Sequence, residues 1–218
     1  KGTFTLDQKM VIKKSDLKTK TWSPIRDLYP KGTTLTLGEI IQYTVGQSDN
    51  NGCDYLLKLI GGPKVVEAYF ISKGYPNISV KATEAQMHKS WNVQYKNWIT
   101  PAESNRILFD FHKKNQTFLT SDSKKFLLQC MLNTTTGLKR LKGNLPEGTP
   151  VAHKTGSSGS NSSGVTAATN DIGIVYLPDN KAFIISVFVT QSTESETVNE
   201  QMIADLCLIA WEYLKPKE

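Results

Sequence analysis

The segment Val151-Ala152-His153-Lys154-Thr155-Gly156-Ser157 begins as a strand and ends as a row of binding groups. Its last four residues set an ammonium, a hydroxyl, a backbone without side chain and a second hydroxyl in sequence. These are the groups needed to hold an anion and polarise a carbonyl at a strand edge. Taken alone, Lys-Thr-Gly fits an exposed strand end followed by a loop equally well. Two features upstream give it context: Ser48-Asp49-Asn50 between two apolar segments, and Glu84 in a polar loop ahead of the next helix.

Outward from this segment the hydrophobic period changes. After Leu145-Pro146-Glu147-Gly148 it is extended, predicting strands over 151–156, 172–177 and 182–190, the last two joined by the hairpin signal Pro178-Asp179-Asn180-Lys181. Residues 157–164 form a Ser/Gly-rich loop bordering the segment. A closing helix over 194–214 aligns Val198, Met202, Leu206, Ile209 and Leu214 on one stripe.

The period before the turn is helical. Thr36-x-x-Glu39 is a capping box with Leu35 and Ile40 as its hydrophobic staple, so a helix is predicted over 37–45, followed by others over 51–60 and from Pro63 to Gly74. Residues 75–99 are polar and aperiodic, a length that compact domains tolerate mainly in functional loops, and Glu84 lies among them. Thr100-Pro101-x-Glu103 launches a helix through Ile107, Leu108 and Phe111, and another carries Phe126, Leu127, Cys130 and Met131. Phe4, Leu6 and Met10-Val11-Ile12 suggest two short extended pieces ahead of a loop with Trp22. Trp22 either walls a pocket or packs half-buried on the core. Lys1-Gly2 reads as the end of a helix that precedes residue 1. The order of elements argues for an α+β fold, an antiparallel sheet flanked by helices with an all-helical subdomain. One domain is expected over 1–218, lacking its N-terminus, with a mainly helical part at 20–147, sheet strands and the last helix at 148–218, and the site at their junction.

Composition sets limits on function. The 26 basic and 20 acidic residues give a net charge of +6, with the lysines scattered, so a nucleic-acid footprint is not expected. No run is long and apolar enough to span a membrane. Cys53, Cys130 and Cys207 sit among apolar residues as buried small hydrophobes, and His88, His112 and His153 show no metal-ligand spacing.

Ser-Asp-Asn followed at a distance by Lys-Thr-Gly, with an isolated Glu between them, resembles the class A serine β-lactamases over nearly the whole chain. The resemblance implies a small-molecule β-lactam substrate, a serine acyl-enzyme, no cofactor and no metal, a monomer, and a periplasmic or secreted location. It implies that Ser48 relays a proton to the leaving nitrogen, that Asp49 holds the turn, and that Asn50 binds the substrate's acylamido group. Taken alone, Ser48-Asp49-Asn50 is also a plain N-cap cluster. Lys154 would supply positive potential, Thr155 and Ser157 bind the carboxylate, Gly156 let substrate lie against the strand, and the Ser157 N–H be one oxyanion donor. Arg140 is either a second carboxylate clamp or a solvated residue near a helix end. Glu84 would activate the deacylating water with His88 beside it. Where many members have Pro and Asn near that Glu, Ala85 and His88 stand here, and the Arg and Asp that usually pin the loop are replaced by Ala82 and Asn97.

The family's nucleophile motif, Ser-x-x-Lys, belongs on a buried helix well upstream of Ser-Asp-Asn. Ser15-Asp16-Leu17-Lys18 and Ser121-Asp122-Ser123-Lys124 match it in letters only, the first in a hydrophilic loop and the second downstream. The serine and its lysine are therefore expected outside residues 1–218, and the chain alone is expected to be inactive. A penicillin-binding-protein-like acyl transferase is the alternative within the same chemistry, against which Glu84 speaks. A non-catalytic binding module is the alternative if residue 1 is the true start.

Overall fold

The computed structural model describes residues 4–112 and 119–217. The helix end expected at Lys1-Gly2 lies outside them. The chain divides into two compact units, Lys1–Thr100 and Pro101–Glu218.

In the first unit, strand β1 (Lys9–Lys13) turns Met10 and Ile12 inward and pairs antiparallel with β2 (Gly32–Thr36), which sets Met10 opposite Leu35. Between them runs the short helix α1 (Pro24–Leu28), capped by the Ser23 hydroxyl, which accepts the Arg26 N–H. Neither α1 nor β2 is evident in the sequence, because five residues are too few to display a period. Helix α2 (Leu37–Gly46) begins at the predicted capping box, where the Thr36 N–H donates to Glu39 at 2.6 Å and the Glu39 N–H to the Thr36 hydroxyl at 3.1 Å. Helices α3 (Asn50–Leu59) and α4 (Pro63–Ser72) follow. Ile25, Leu37 and Ile40 close over Met10, Ile12, Leu17 and Leu35 to form the core. The aperiodic stretch is built of short pieces. Strand β3 (Ile78–Ser79) pairs with β4 (Trp98–Ile99), and between them lie helix α5 (Glu84–Met87) and a 3-10 turn over Trp91–Lys96.

The second unit contains α6 (Pro101–His112), α7 (Ser121–Leu132), the antiparallel strands β5 (Val151–Ser157), β6 (Thr166–Tyr176) and β7 (Ala182–Ser192) in that spatial order, and α8 (Glu196–Leu214). Ile174 and Val175 are adjacent in β6, hence on opposite faces, and both are fully buried, so both faces of the strand are covered. Helices α6 and α7 pack on β7 and β5 respectively. For this reason the division falls at Thr100 and not near residue 147, where the helical period ends. Strand β6 starts six residues before its predicted position, since Thr169, Asn170 and Asp171 read as loop although Thr169 and Asp171 point inward and are buried.

The last helix also departs from expectation. Val198, Met202, Leu206, Ile209 and Leu214 are exposed, while Asn199, Ile203, Ala204, Cys207 and Trp211 face the sheet. With apolar residues on most of its circumference, its sequence could not specify which stripe is buried. No described helix is long and apolar enough to cross a membrane.

Cys207 packs with Leu141, Val151, Val175 and Ile203. Burial, reinforced by the nearby Asp171 carboxylate, pushes its thiol up to about 12. Because the thiolate is the reactive form, Cys207 should resist a thiol reagent at pH 8 in native buffer and react only after denaturant unfolds the unit. Labelling at the rate of an exposed thiol would show that this core opens locally.

Candidate active site

In the first unit the geometry begins where α2 stops. Ser48 adopts φ +56°, the left-handed conformation that glycine takes without steric cost. A non-glycine residue there costs about 1–2 kcal/mol, so its hydroxyl is retained against a conformational preference. The turn sends the Asp49 N–H back to the Tyr43 carbonyl at 3.1 Å. The Asp49 carboxylate is fully buried and accepts three donors: the Ser23 hydroxyl, 2.9 and 3.0 Å from its two oxygens, the Ile25 N–H at 2.7 Å, and the Gly52 N–H of its own helix at 2.8 Å. It thereby caps α3 and ties down the segment before α1.

The same segment is laced along α3. The Asn50 side-chain amide donates to the Thr21 hydroxyl at 2.6 Å and its N–H to the Trp22 carbonyl at 3.1 Å. Asn51 exchanges bonds with the Lys18 backbone at 2.9 and 3.2 Å. The Trp22 indole N–H donates to the Gln47 carbonyl at 2.9 Å, leaving the ring more than half exposed beside Ser48 and Asn50. Of the two readings, the exposed ring agrees with a wall and not with core packing.

Glu84 opens α5, and this four-residue helix is held by a residue the sequence reading overlooked. Asp54, one turn along α3 from Asn50, accepts the Glu84 N–H at 2.7 Å and the Ala85 N–H at 3.0 Å. Thr83 takes the Gln86 N–H, so the first donors of the helix are satisfied. Asn97 replaces the expected charged pin with a neutral one. It accepts the Lys81 and Ala82 N–H groups at 2.8 and 2.9 Å and donates to the Ala82 carbonyl at 2.9 Å. Glu67 accepts the Val80 N–H at 2.9 Å and pairs with Lys81, whose hydrogen bond, ahead of the others, holds the Glu67 carboxyl below its usual range. His88 ends α5, exposed, its N–H on the Glu84 carbonyl at 3.1 Å. Asp54 was detectable in principle, as a carboxylate four residues from Asn50 on one helix face.

In the second unit, β5 carries Lys154 to Ser157 in register with Ile172 to Thr169 of β6. The Lys154 ammonium donates to the Thr155 carbonyl at 2.7 Å, and the Thr155 hydroxyl meets that of Thr136 at 2.8 Å. Gly137, at φ +61°, lies under Thr155, and a Cβ there would fall 2.3 Å from the Thr155 methyl. Gly156 differs: a Cβ would meet only the Asn170 Cβ at 3.7 Å, an ordinary contact, so internal packing does not demand glycine there.

Arg140 is not a solvated residue near a helix end. It is buried, with four of its five N–H donors committed: one to Glu200 at 3.1 Å, two to the Gly156 and Asn170 carbonyls at 3.0 Å each, and one to the Ser157 hydroxyl at 2.8 Å. These bonds hold the strand end and the Ser157 hydroxyl.

The two Ser-x-x-Lys matches do not form nucleophile sites. Ser15 is exposed in a 3-10 turn, with the Lys18 ammonium on its carbonyl, and Ser121 is exposed at the start of α7, with the Lys124 ammonium on the His112 carbonyl.

A family model described as the β-lactamase enzyme family matches residues 1–214. Beta-lactamase VEB-1 of Pseudomonas aeruginosa is 49% identical over 213 residues, which are 98% of this chain and 71% of VEB-1. The crystal structure of TLA-3 extended-spectrum β-lactamase superposes with a TM-score of 0.95 at 52% identity, over 97% of this chain and 77% of that one. A class A β-lactamase representative from Bacteroides cellulosilyticus DSM 14838 gives 0.92 at 39% identity, over 96% and 75%. The chain belongs to the β-lactamase enzyme family, among the class A enzymes that hydrolyse the β-lactam ring.

Asp54→Ala should leave two backbone donors of α5 without acceptors, costing about 1–3 kcal/mol and removing amide-exchange protection from residues 84–88 before any other part of the first unit. Unchanged protection there would mean that α5 is held by Thr83 and Gln86 alone.

Proposed function

We propose that the chain hydrolyses penicillins and cephalosporins through a serine acyl-enzyme, with Ser48, Glu84 and Lys154 as its catalytic groups. The observation that carries this reading is Ser48, whose hydroxyl stands in a left-handed turn where glycine would be easier, next to an Asn50 that is already oriented. Ser48 passes a proton to the departing ring nitrogen. With one amide hydrogen given to Thr21, Asn50 keeps its oxygen and a second N–H for the acylamido group. Lys154 supplies positive potential, the Thr155 and Ser157 hydroxyls bind the substrate carboxylate, and the Ser157 N–H holds the oxyanion. Gly156, which its own packing does not require, leaves the strand open to the substrate. Arg140 acts through Ser157, and Trp22 forms a wall.

The acylated serine belongs, on this reading, to a Ser-x-x-Lys helix outside residues 1–218, since Ser15 and Ser121 are exposed and their lysines are engaged with carbonyls. Glu84 then takes a proton from the water that attacks the acyl-ester, with His88 helping to hold that water. On the same reading the protein works in the periplasm or outside the cell, as a monomer.

The decisive variant is Glu84→Gln in a protein extended to include that helix. It should acylate normally yet deacylate about a hundredfold or more slowly, so a penicillin adduct accumulates in the mass spectrum. Turnover close to wild type, with no adduct, would remove Glu84 from the mechanism. Residues 1–218 alone should not hydrolyse a chromogenic cephalosporin, and robust activity from them would return Ser15 to consideration as nucleophile.

A further inference from the structure

His153 precedes Lys154 on β5 and has no part in the chemistry above. It is fully buried, as is Asp171 of β6. Its Nδ1 lies 3.1 and 2.9 Å from the two Asp171 oxygens. Both are acceptors, so Nδ1 carries the proton and donates. Nε2 is buried without a hydrogen-bond partner. Asp171 Oδ2 also accepts the Leu141 N–H at 3.3 Å. Leu141 follows Arg140, the residue that holds the Gly156 carbonyl and the Ser157 hydroxyl.

The surroundings are shaped to this pair. Gly173 stands opposite His153 in the ladder, and a Cβ there would crowd the His153 Cβ at 3.1 Å and a Leu141 methyl at 3.0 Å. The Thr134 hydroxyl donates to the His153 carbonyl at 3.0 Å. A buried polar pair is seldom more stabilising than apolar residues of the same volume, and its advantage is a defined geometry. Here the geometry it defines is the distance between the Arg140-Leu141 turn and the strand that bears Lys154, Thr155 and Ser157.

We propose that His153 and Asp171 are a positioning pair for carboxylate recognition. They fix the turn, the turn fixes the Arg140 guanidinium, and the guanidinium sets the direction of the Ser157 hydroxyl. The inference rests on the β-lactam reading above for its substrate, but the position of Ser157 can be measured without turnover.

The test uses the complete enzyme and two substitutions of His153. His153→Phe fills the space and removes the donor, whereas His153→Asn puts an amide N–H close to where Nδ1–H stands. The Phe variant should raise KM for a β-lactam with a free carboxylate about tenfold, with a smaller change in kcat, and should shift the Gly156 and Ser157 amide resonances. The Asn variant should bring both readouts most of the way back. A folded Phe variant with wild-type KM and unmoved Gly156 and Ser157 resonances would overturn the pairing role while leaving hydrolysis intact. If the wild-type enzyme proved inactive, the β-lactam reading would fail separately, and the two resonances would still decide whether the pair positions the strand end. Should the Phe variant not fold, Asp171→Asn keeps the volume and removes the charge, and the same two readouts apply to it with the same opposing outcomes.

Discussion

The buried carboxylate of Asp49 receives the backbone N–H groups of Ile25 and Gly52 and the hydroxyl of Ser23. Without an acceptor at that point, two peptide donors would be shut away from water at a cost comparable to lost hydrogen bonds. The first unit meets this constraint repeatedly, because its functional residues sit on turns and short helices that cannot satisfy their own backbone. Asp54 meets it for α5, Asn97 and Glu67 for the strand of chain leading into α5, and Asn51 for Lys18. Each of these polar side chains fixes a path, and the path fixes Ser48, Asn50 or Glu84.

The second unit solves the complementary problem with a cation. Arg140 collects the Gly156 carbonyl near the end of β5 and the carbonyl of Asn170, its partner on β6, with a single guanidinium. Glu200 provides charge compensation at 3.1 Å, so the arginine is not an isolated buried charge. The planar fork suits this task better than an ammonium, since its donors diverge in fixed directions. Lys154, with a single charge on a flexible stem, is on the proposed function the source of potential in place of geometry.

Function and fold therefore place different demands on neighbouring residues. Ser48 sits in a conformation that local sterics disfavour, and Gly156 gives up a side chain that its surroundings would accept. Asp49, Asn51, Asp54 and Arg140 show the opposite behaviour, each with its hydrogen-bonding capacity largely spent inside the protein. On the proposed function, the first group is explained by what must reach a substrate, and the second by what must hold the first in place.

The sequence alone determined the long elements and the motif pair. The capping box at Thr36, the Pro178-Asp179-Asn180-Lys181 hairpin and the extended period after Gly148 are local signals, set by backbone donors and side chains a few residues apart. Ser48, Asn50, Glu84 and Lys154 stood out as candidates because a motif fixes residue types in order along the chain. What tertiary structure decided were pairings between positions far apart in sequence. Asp54 with Glu84, Arg140 with Ser157, and His153 with Asp171 carry no periodic signature, and Asp171 looked like loop because a polar residue facing inward breaks the strand pattern. The same holds for the buried stripe of α8, where a helix apolar on most sides leaves its orientation to the sheet it packs against.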